Sequence, residues 1–375
     1  MKTVGLYIHI PFCKMKCHYC DFPSFSGKED LMVEYAKALS EEIEISCHGK
    51  FISTIFVGGG TPTYLCLKGW KIIAETLGKL NIVKDGFEFT IEGNPKTFNE
   101  EQLNIFKAMG VNRISMGLQA VQTCHLQSLG RIHSLEDFKN SYNMLRRGGF
   151  ENINVDLMFG LPNQTLSQWM ETLKEVVELN PEHISCYSLI IEEGTKFFDL
   201  YEKDKLILPS EDMERDMYGG SIKFLKEHGY DQYEISNFAK NGLACKHNKI
   251  YWNLENYIGC GSSSHSYIDG IRYKNEENIE SYILQMKNKK TAIVEEYRNL
   301  EKDEIEEFIF LGLRKIQGIN LDIFKERFKI SIFDKYDKVI EKYITLKMLK
   351  VDGNRLFLTA RGIELSNQVM AEFIL

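Results

Sequence analysis

The chain has 375 residues, 43% hydrophobic and 26% charged, the balance of a globular protein able to bury a large core as one large domain plus a smaller one. Its formal charge of −7 excludes any global attraction to nucleic acid or anionic lipid. Neither a run of about 18 apolar residues nor a charged segment leading into an apolar one occurs, so a membrane span and a signal peptide are not expected and the cytoplasm is.

The first expected strand, Thr3 to Ile10, runs into Pro11-Phe12-Cys13-Lys14-Met15-Lys16-Cys17-His18-Tyr19-Cys20-Asp21-Phe22, a short loop with three cysteines. A structural zinc site wants four protein ligands, and no fourth Cys or His stands at a complementary spacing, although His18 lies within the loop. A redox pair would use Cys17 and Cys20 and leave Cys13 without a role. An iron-sulfur cube held by three thiolates keeps one iron open to a further ligand. The other six cysteines, Cys47, Cys66, Cys124, Cys186, Cys245 and Cys260, are scattered singly, which reads as reduced structural thiols rather than a disulfide framework.

Further along, apolar and β-branched runs alternate with stretches of helical period. Strands are expected over Thr54 to Gly59, Glu88 to Asn94, Arg113 to Gln119, Asn152 to Phe159 and His183 to Ile191. Helices are expected over Leu31 to Ser46, Glu100 to Met109, Leu135 to Arg147 and Leu166 to Leu179. Six strand-then-helix units imply parallel strands with right-handed crossovers, in a sheet either curled into an incomplete barrel or open and doubly wound.

Sites in both architectures sit at the C-terminal strand ends. The chemically distinctive residues fall there: the Cys13 loop after the first strand, Gly58 to Pro62 after the second, Glu92 and Asn94 on the third, Gln119 ending the fourth and Asp156 on the fifth.

After a helical stretch from Glu211 to Glu227 the composition turns Tyr-, Asn- and Gly-rich, from Cys245 to Gly270. A charged helix near Asn278 to Lys290 leads to a tail from about Asp303 to Leu375, in which Met348 to Leu358 reads as a hairpin. Helices followed by a hairpin and a last helix resemble a winged helix. The expected divisions are 1–235, 236–300 and 301–375.

His247-Asn248-Lys249-Ile250-Tyr251-Trp252 offers an imidazole able to ligate a metal, flat apolar surface from Tyr251 and Trp252, and hydrogen bonds from Asn248. The competing reading is a packed segment in which His247 bonds backbone and Trp252 fills core. His265 and Cys245 are alternative ligands.

The C-x3-C-x2-C spacing after a strand that opens a β/α series resembles the radical S-adenosylmethionine (SAM) superfamily. The order of YIHIPFC (Tyr7 to Cys13), CDF (Cys20 to Phe22), GGGTPT (Gly58 to Thr63), EGNP (Glu92 to Pro95), RISMGLQ (Arg113 to Gln119), LGRIH (Leu129 to His133), DLMFGLP (Asp156 to Pro162), HNKIYW (His247 to Trp252) and GCGSSSHS (Gly259 to Ser266) narrows it further. Over nearly the whole chain it is similar to the heme-chaperone family within the coproporphyrinogen III dehydrogenase-like branch.

That resemblance implies an α/β fold, an incomplete (β/α)6 radical-SAM barrel with a smaller C-terminal helical, winged-helix-like domain. It implies a 4Fe-4S cluster on Cys13, Cys17 and Cys20, with SAM chelating the open iron and open to reductive C–S cleavage. Tyr7 and Tyr19 would flank the cofactor, Gly59, Gly60 and Thr61 would receive its amino group, and Glu92, Gln119, Arg131 and Asp156 would contact its ribose and methionine parts. Heme is the implied cargo, with His247, Asn248, Tyr251 and Trp252 as its implied contacts, and hemoproteins, membrane-associated ones included, the implied acceptors, with no nucleic acid and a monomer or homodimer as carrier.

True dehydrogenases of this branch resemble C-x3-C-x2-C-x-C, where this chain has Phe22, and they carry a longer segment before the position of Tyr7. Both departures imply a chaperone without the oxidative decarboxylation. The alternatives are that dehydrogenase and another radical SAM enzyme modifying a tetrapyrrole.

Overall fold

The computed structural model describes residues 3–374. Six parallel strands carry the architecture: β1 (Thr3–Ile10), β2 (Phe51–Gly59), β3 (Glu88–Gly93), β4 (Arg113–Gln119), β5 (Asn152–Phe159) and β6 (His183–Ser188), hydrogen-bonded in that order. Helices cross between them at Met32–Ser46, Leu67–Leu77, Glu100–Ala108, Leu135–Arg147 and Leu166–Glu178. Three of these begin on reciprocal capping boxes, Asn99 with Gln102, Ser134 with Asp137 and Thr165 with Gln168, which explains why their starts are sharp in the sequence.

Side chains alternate across each strand. On β1 to β5 the outward set, Leu6, Ile8, Ile55, Val57, Phe89, Ile91, Ile114, Met116, Ile153 and Val155, is buried in one continuous core with the helices. The inward set is polar or aromatic: Tyr7, Thr54, Phe56, Glu88, Thr90, Glu92, Arg113, Ser115, Asn154 and Asp156. Strands of parallel sheets ordinarily bury apolar residues on both faces. A polar inner face is stable only where it pairs with itself or meets a polar ligand, so this alternation already marks a lumen.

The sheet does not close. It continues beyond β1 through Tyr257–Cys260, His265–Ile268, Ile271–Asn275 and Ile293–Arg298, and beyond β6 through Asn237–Ala239 and Asp231–Glu234. The region from 236 to 300 thus extends the barrel sheet. Its strands are too short to show a period, and the sequence reading did not resolve them. The last parallel strand also stops at Ser188 rather than Ile191.

The C-terminal unit spans the gap between the two sheet edges. Arg272, on the strand next to one edge, makes a forked pair with Glu307 of helix Glu301–Leu313, at 2.9 and 2.6 Å. At the end of that helix, the Arg314 carbonyl and Ile316 N–H bond Ile235 and Tyr233 beside the other edge strand. The unit runs helix, strand Ile319–Asn320, helices Leu321–Phe328 and Ile332–Thr345, then the hairpin Leu349–Asp352 and Arg355–Leu358, a winged-helix order around its own core.

Candidate functional site

The cysteine loop is tied down on both sides. Cys13 N–H donates to the Phe25 carbonyl at 2.9 Å, and Phe25 N–H to Pro11 at 2.7 Å. His18 is a strut: its N–H reaches Leu129, its Nδ1 lies 2.8 Å from the Ser128 carbonyl, and its Nε2 lies 3.1 Å from Lys196 Nζ. Gly130, at φ +74°, packs so closely on that ring that a Cβ there would lie 2.9 Å from it.

All nine cysteines are free thiols. Burial raises the Cys13 pKa, and burial together with Cys17 and Cys13 pushes Cys20 up to about 11. Three thiolates would thus repel one another until a cation met them. No group of three or more His, Cys, Asp or Glu side chains among the described residues converges on one metal ion, as zinc would need. A cube spreads its thiolates over separate irons, so a dispersed set of three fits it.

The end of β2 closes onto this loop through glycine. A Cβ on Gly60 would lie 2.9 Å from both Cys13 Sγ and the Phe12 carbonyl, and one on Gly59, at φ +113°, would lie 2.7 Å from the His9 ring. The N–H groups of Gly60 and Thr61 are already spent on the Ile10 and Phe12 carbonyls. What this turn can offer a ligand's amino group is therefore carbonyl oxygen.

A chain of polar contacts joins two of the cysteines. Cys13 Sγ is 3.5 Å from Thr61 Oγ1, which accepts from Asn94 Nδ2 at 2.9 Å. Asn94 Oδ1 accepts from Arg131 Nη2 at 2.7 Å, and Arg131 Nη1 points at Cys17 Sγ from 3.7 Å. Arg131 Nη2 also donates to the Gly117 carbonyl, while its buried Nε has no partner. Gln119, held at φ +74° by a bulge in β4, brings Nε2 to the same spot above Gly117. Asn94 stood at a strand end in the sequence but was given no ligand role; its function as the link appears only when β3 and β4 are neighbours.

Below this ring lie the inward carboxylates. Asp156 accepts from Ser115 at 2.9 Å and Asn154 at 2.8 Å. Burial first, and the Asp156 charge second, raise Glu92 to about 8. Tyr7 donates toward His9 Nδ1 at 3.0 Å within the field of Glu92, and Tyr19 lies in the fields of Arg131, Cys17 and Asp156. The residues expected to touch SAM thus lie on the inner face of the strands and in the loops at their C-terminal ends.

A carboxyl whose folded pKa is raised stabilises the fold fully below its ordinary value of 4.5 and loses that contribution as pH rises through about 8. Glu92→Gln removes the titration. Thermal melts of the cofactor-free protein should fall less steeply between pH 5 and 8 in the variant than in wild type; parallel slopes would show that Glu92 ionises normally.

His247-Asn248-Lys249-Ile250-Tyr251-Trp252 lies at the other end of the lumen, on helix Lys246–Trp252. Glu88, the first residue of β3, accepts from Lys246 N–H, His247 N–H and the Cys245 thiol at 3.0, 3.0 and 3.4 Å. His247 is fully buried, stacked on Phe56, with Nδ1 2.7 Å from Thr54 Oγ1 and Nε2 2.8 Å from the Tyr251 hydroxyl. Burial and Arg113 lower its pKa to about 3. Here it is a neutral core histidine with both nitrogens engaged, and coordination of heme iron would require this helix to leave the barrel. Asn248 is half-buried, Cys245 is buried against Glu88, and His265 is exposed on a separate strand. Trp252 has a buried indole N–H without a partner and stacks under Arg314 at 4.5 Å.

An incomplete parallel barrel with three unpaired thiols at its mouth defines a radical SAM protein. The profile of the Radical SAM superfamily matches residues 7–176, and that of the HemN C-terminal domain residues 300–365. The structure is similar to that of coproporphyrinogen III oxidase (HemN) from Escherichia coli, with a TM-score of 0.86 and 24% identity over 100% of this chain and 90% of that one. The chain is 38% identical to the heme chaperone HemW of Bacillus subtilis over 98% of both chains. It is 36% identical to that of Lactococcus lactis over 100% of this chain and 98% of the other. The chain belongs to the HemW heme chaperone family.

Proposed function

We propose that the protein is a heme chaperone that binds a 4Fe-4S cluster, SAM and heme and passes heme to acceptor hemoproteins. The observation that carries this reading is the three-thiol mouth of Cys13, Cys17 and Cys20, the first two linked through Thr61, Asn94 and Arg131, in a chain whose relatives along their whole length are named heme chaperones.

In this reading residues 1–235 hold cluster and SAM, 236–300 supply the helix of His247 to Trp252, and 301–375 complete the structure beside it. The three thiolates hold three irons, and the bound pair supplies one-electron chemistry at the SAM sulfonium. Arg131 pairs with the SAM carboxylate, the Gly60 carbonyl takes its amino group, and Glu92 and Asp156 accept from ribose hydroxyls. Tyr7 and Tyr19 wall the cofactor. Free thiols throughout suit a reducing compartment, and we place the protein in the cytoplasm. No helix among the described residues is long and apolar enough to cross a membrane.

Phe22, 59% exposed, stands where the dehydrogenases resemble a fourth cysteine. Protein reconstituted anaerobically with iron and sulfide, then given SAM, is therefore expected to bind heme and yield it to an apo-hemoprotein. It should form no protoporphyrinogen from coproporphyrinogen III. Absorbance follows the transfer and chromatography the porphyrins; turnover of coproporphyrinogen would overthrow the chaperone reading.

A further inference from the structure

A cavity of about 450 Å³, within the range of small-molecule sites, lies where the helix of Trp252 meets the C-terminal unit. Its lining includes Lys249, Trp252, Lys315, Arg327 and Arg355, against Glu255 as the acid. Arg327 is satisfied by the Leu254 carbonyl, the Tyr267 hydroxyl and Glu304. The Lys315 ammonium reaches only the Asn253 side chain at 2.6 Å, and the half-buried Arg355 side chain makes no hydrogen bond or ion pair among the described residues. Lys249 lies over the Tyr233 ring rather than against a carboxylate.

Burial, then the Arg355 charge, lower Lys315 to about 8. Two cations thus face each other in a partly desolvated space with too little negative charge to balance them. Such an arrangement costs free energy in the empty protein and is relieved by an anion. The Trp252 wall adds an aromatic face whose buried N–H lacks an acceptor.

We propose that this cavity is a carboxylate-binding site for a flat ligand, with carboxylates seated on Lys315, Arg355 and Lys249 and the ligand body against Trp252. Resting on the heme-carrier reading, the occupant is the propionate edge of heme. The site uses the outer face of the helix and needs no bond from His247 to iron, so it leaves the packed helix in place.

The test compares wild type with Arg355→Gln, Lys315→Gln and the double variant, all reconstituted and checked by circular dichroism. Arg355→Gln is the cleaner variant because that side chain holds nothing else in place. Heme titrated by absorbance should bind about tenfold more weakly to each single variant, the scale of one charge-assisted hydrogen bond. Heme dimethyl ester, which lacks the carboxylates, should bind all four proteins alike. Citrate, used without heme, should raise the melting temperature of wild type and not of the double variant.

Equal heme affinity in wild type and variants would overturn the site while leaving heme carriage standing. Absence of heme binding by wild type would remove the heme occupant, and the citrate arm would then decide the carboxylate site by itself. A shift lost in the double variant sustains it, and the same shift in both removes it.

Discussion

Replacing Cys13, Cys17 or Cys20 singly with alanine is expected to reduce cluster content after reconstitution from about one 4Fe-4S unit per chain to near zero. Each thiolate would hold a different corner of the cube, and no other cysteine shares the loop to take a lost place. His18 is occupied by Ser128 and Lys196, and Phe22 has no donor atom. The network supports the outcome from the protein side: Arg131 lies 3.7 Å from Cys17 and Thr61 lies 3.5 Å from Cys13, positioned to stabilise thiolate charge once it forms. Iron and sulfide analysis, with the visible absorbance of the reconstituted protein, decides the matter. Cys124→Ala, which alters an exposed thiol elsewhere, should retain full iron. Full occupancy in any of the three loop variants would sink the assignment.

Glu88→Ala is expected to destabilise the protein by about 3–5 kcal/mol, as large as any single change in this fold. The side chain is 6% exposed and collects two backbone N–H groups and a thiol at the start of the helix that plugs the lumen. Its charge also lies within the field of buried Arg113. Truncation orphans those donors and removes one of the negative charges near Arg113, Asp156 being another. Glu88→Gln keeps an acceptor and should lose less. Urea midpoints give the ordering, and mass-spectrometric labelling of Cys245, fully buried in wild type, should accelerate in the alanine variant as the helix loosens. A loss under about 1 kcal/mol, with Cys245 still protected, would show that the helix is held by packing alone.

The two expectations differ in how far each could be read along the chain. Cysteine spacing is local: Cys13, Cys17 and Cys20 share one loop whatever surrounds them, so the proposal that they act together could be made before any fold was known. The alternation of Leu6, Ile8, Ile55 and Val57 with Tyr7, Phe56 and Gly58 was equally local, as were the caps at Asn99, Ser134 and Thr165. These follow from covalent spacing, backbone periodicity and one-turn hydrogen bonds, which need no distant partner.

Glu88 carried no such signal, because its partners lie 157 to 159 residues away. Asn94 likewise needed Arg131, 37 residues on, to show that it joins Thr61 to the Cys17 side of the mouth. The motif of His247 to Trp252 was visible as a string, with both a ligand reading and a packed reading open to it. Only the curling of the open sheet around that helix supplied Thr54, Phe56 and Glu88, which satisfied His247 and left Trp252 and Lys249 facing the C-terminal unit. By itself, then, the sequence determined the alternation of strands with helices, the three-thiol loop and the glycine turn after the second strand, since each is set by neighbours in the chain. The tertiary structure decided which polar groups are paired and which are left unbalanced, because burial and distance to distant charges exist only after the strands have met.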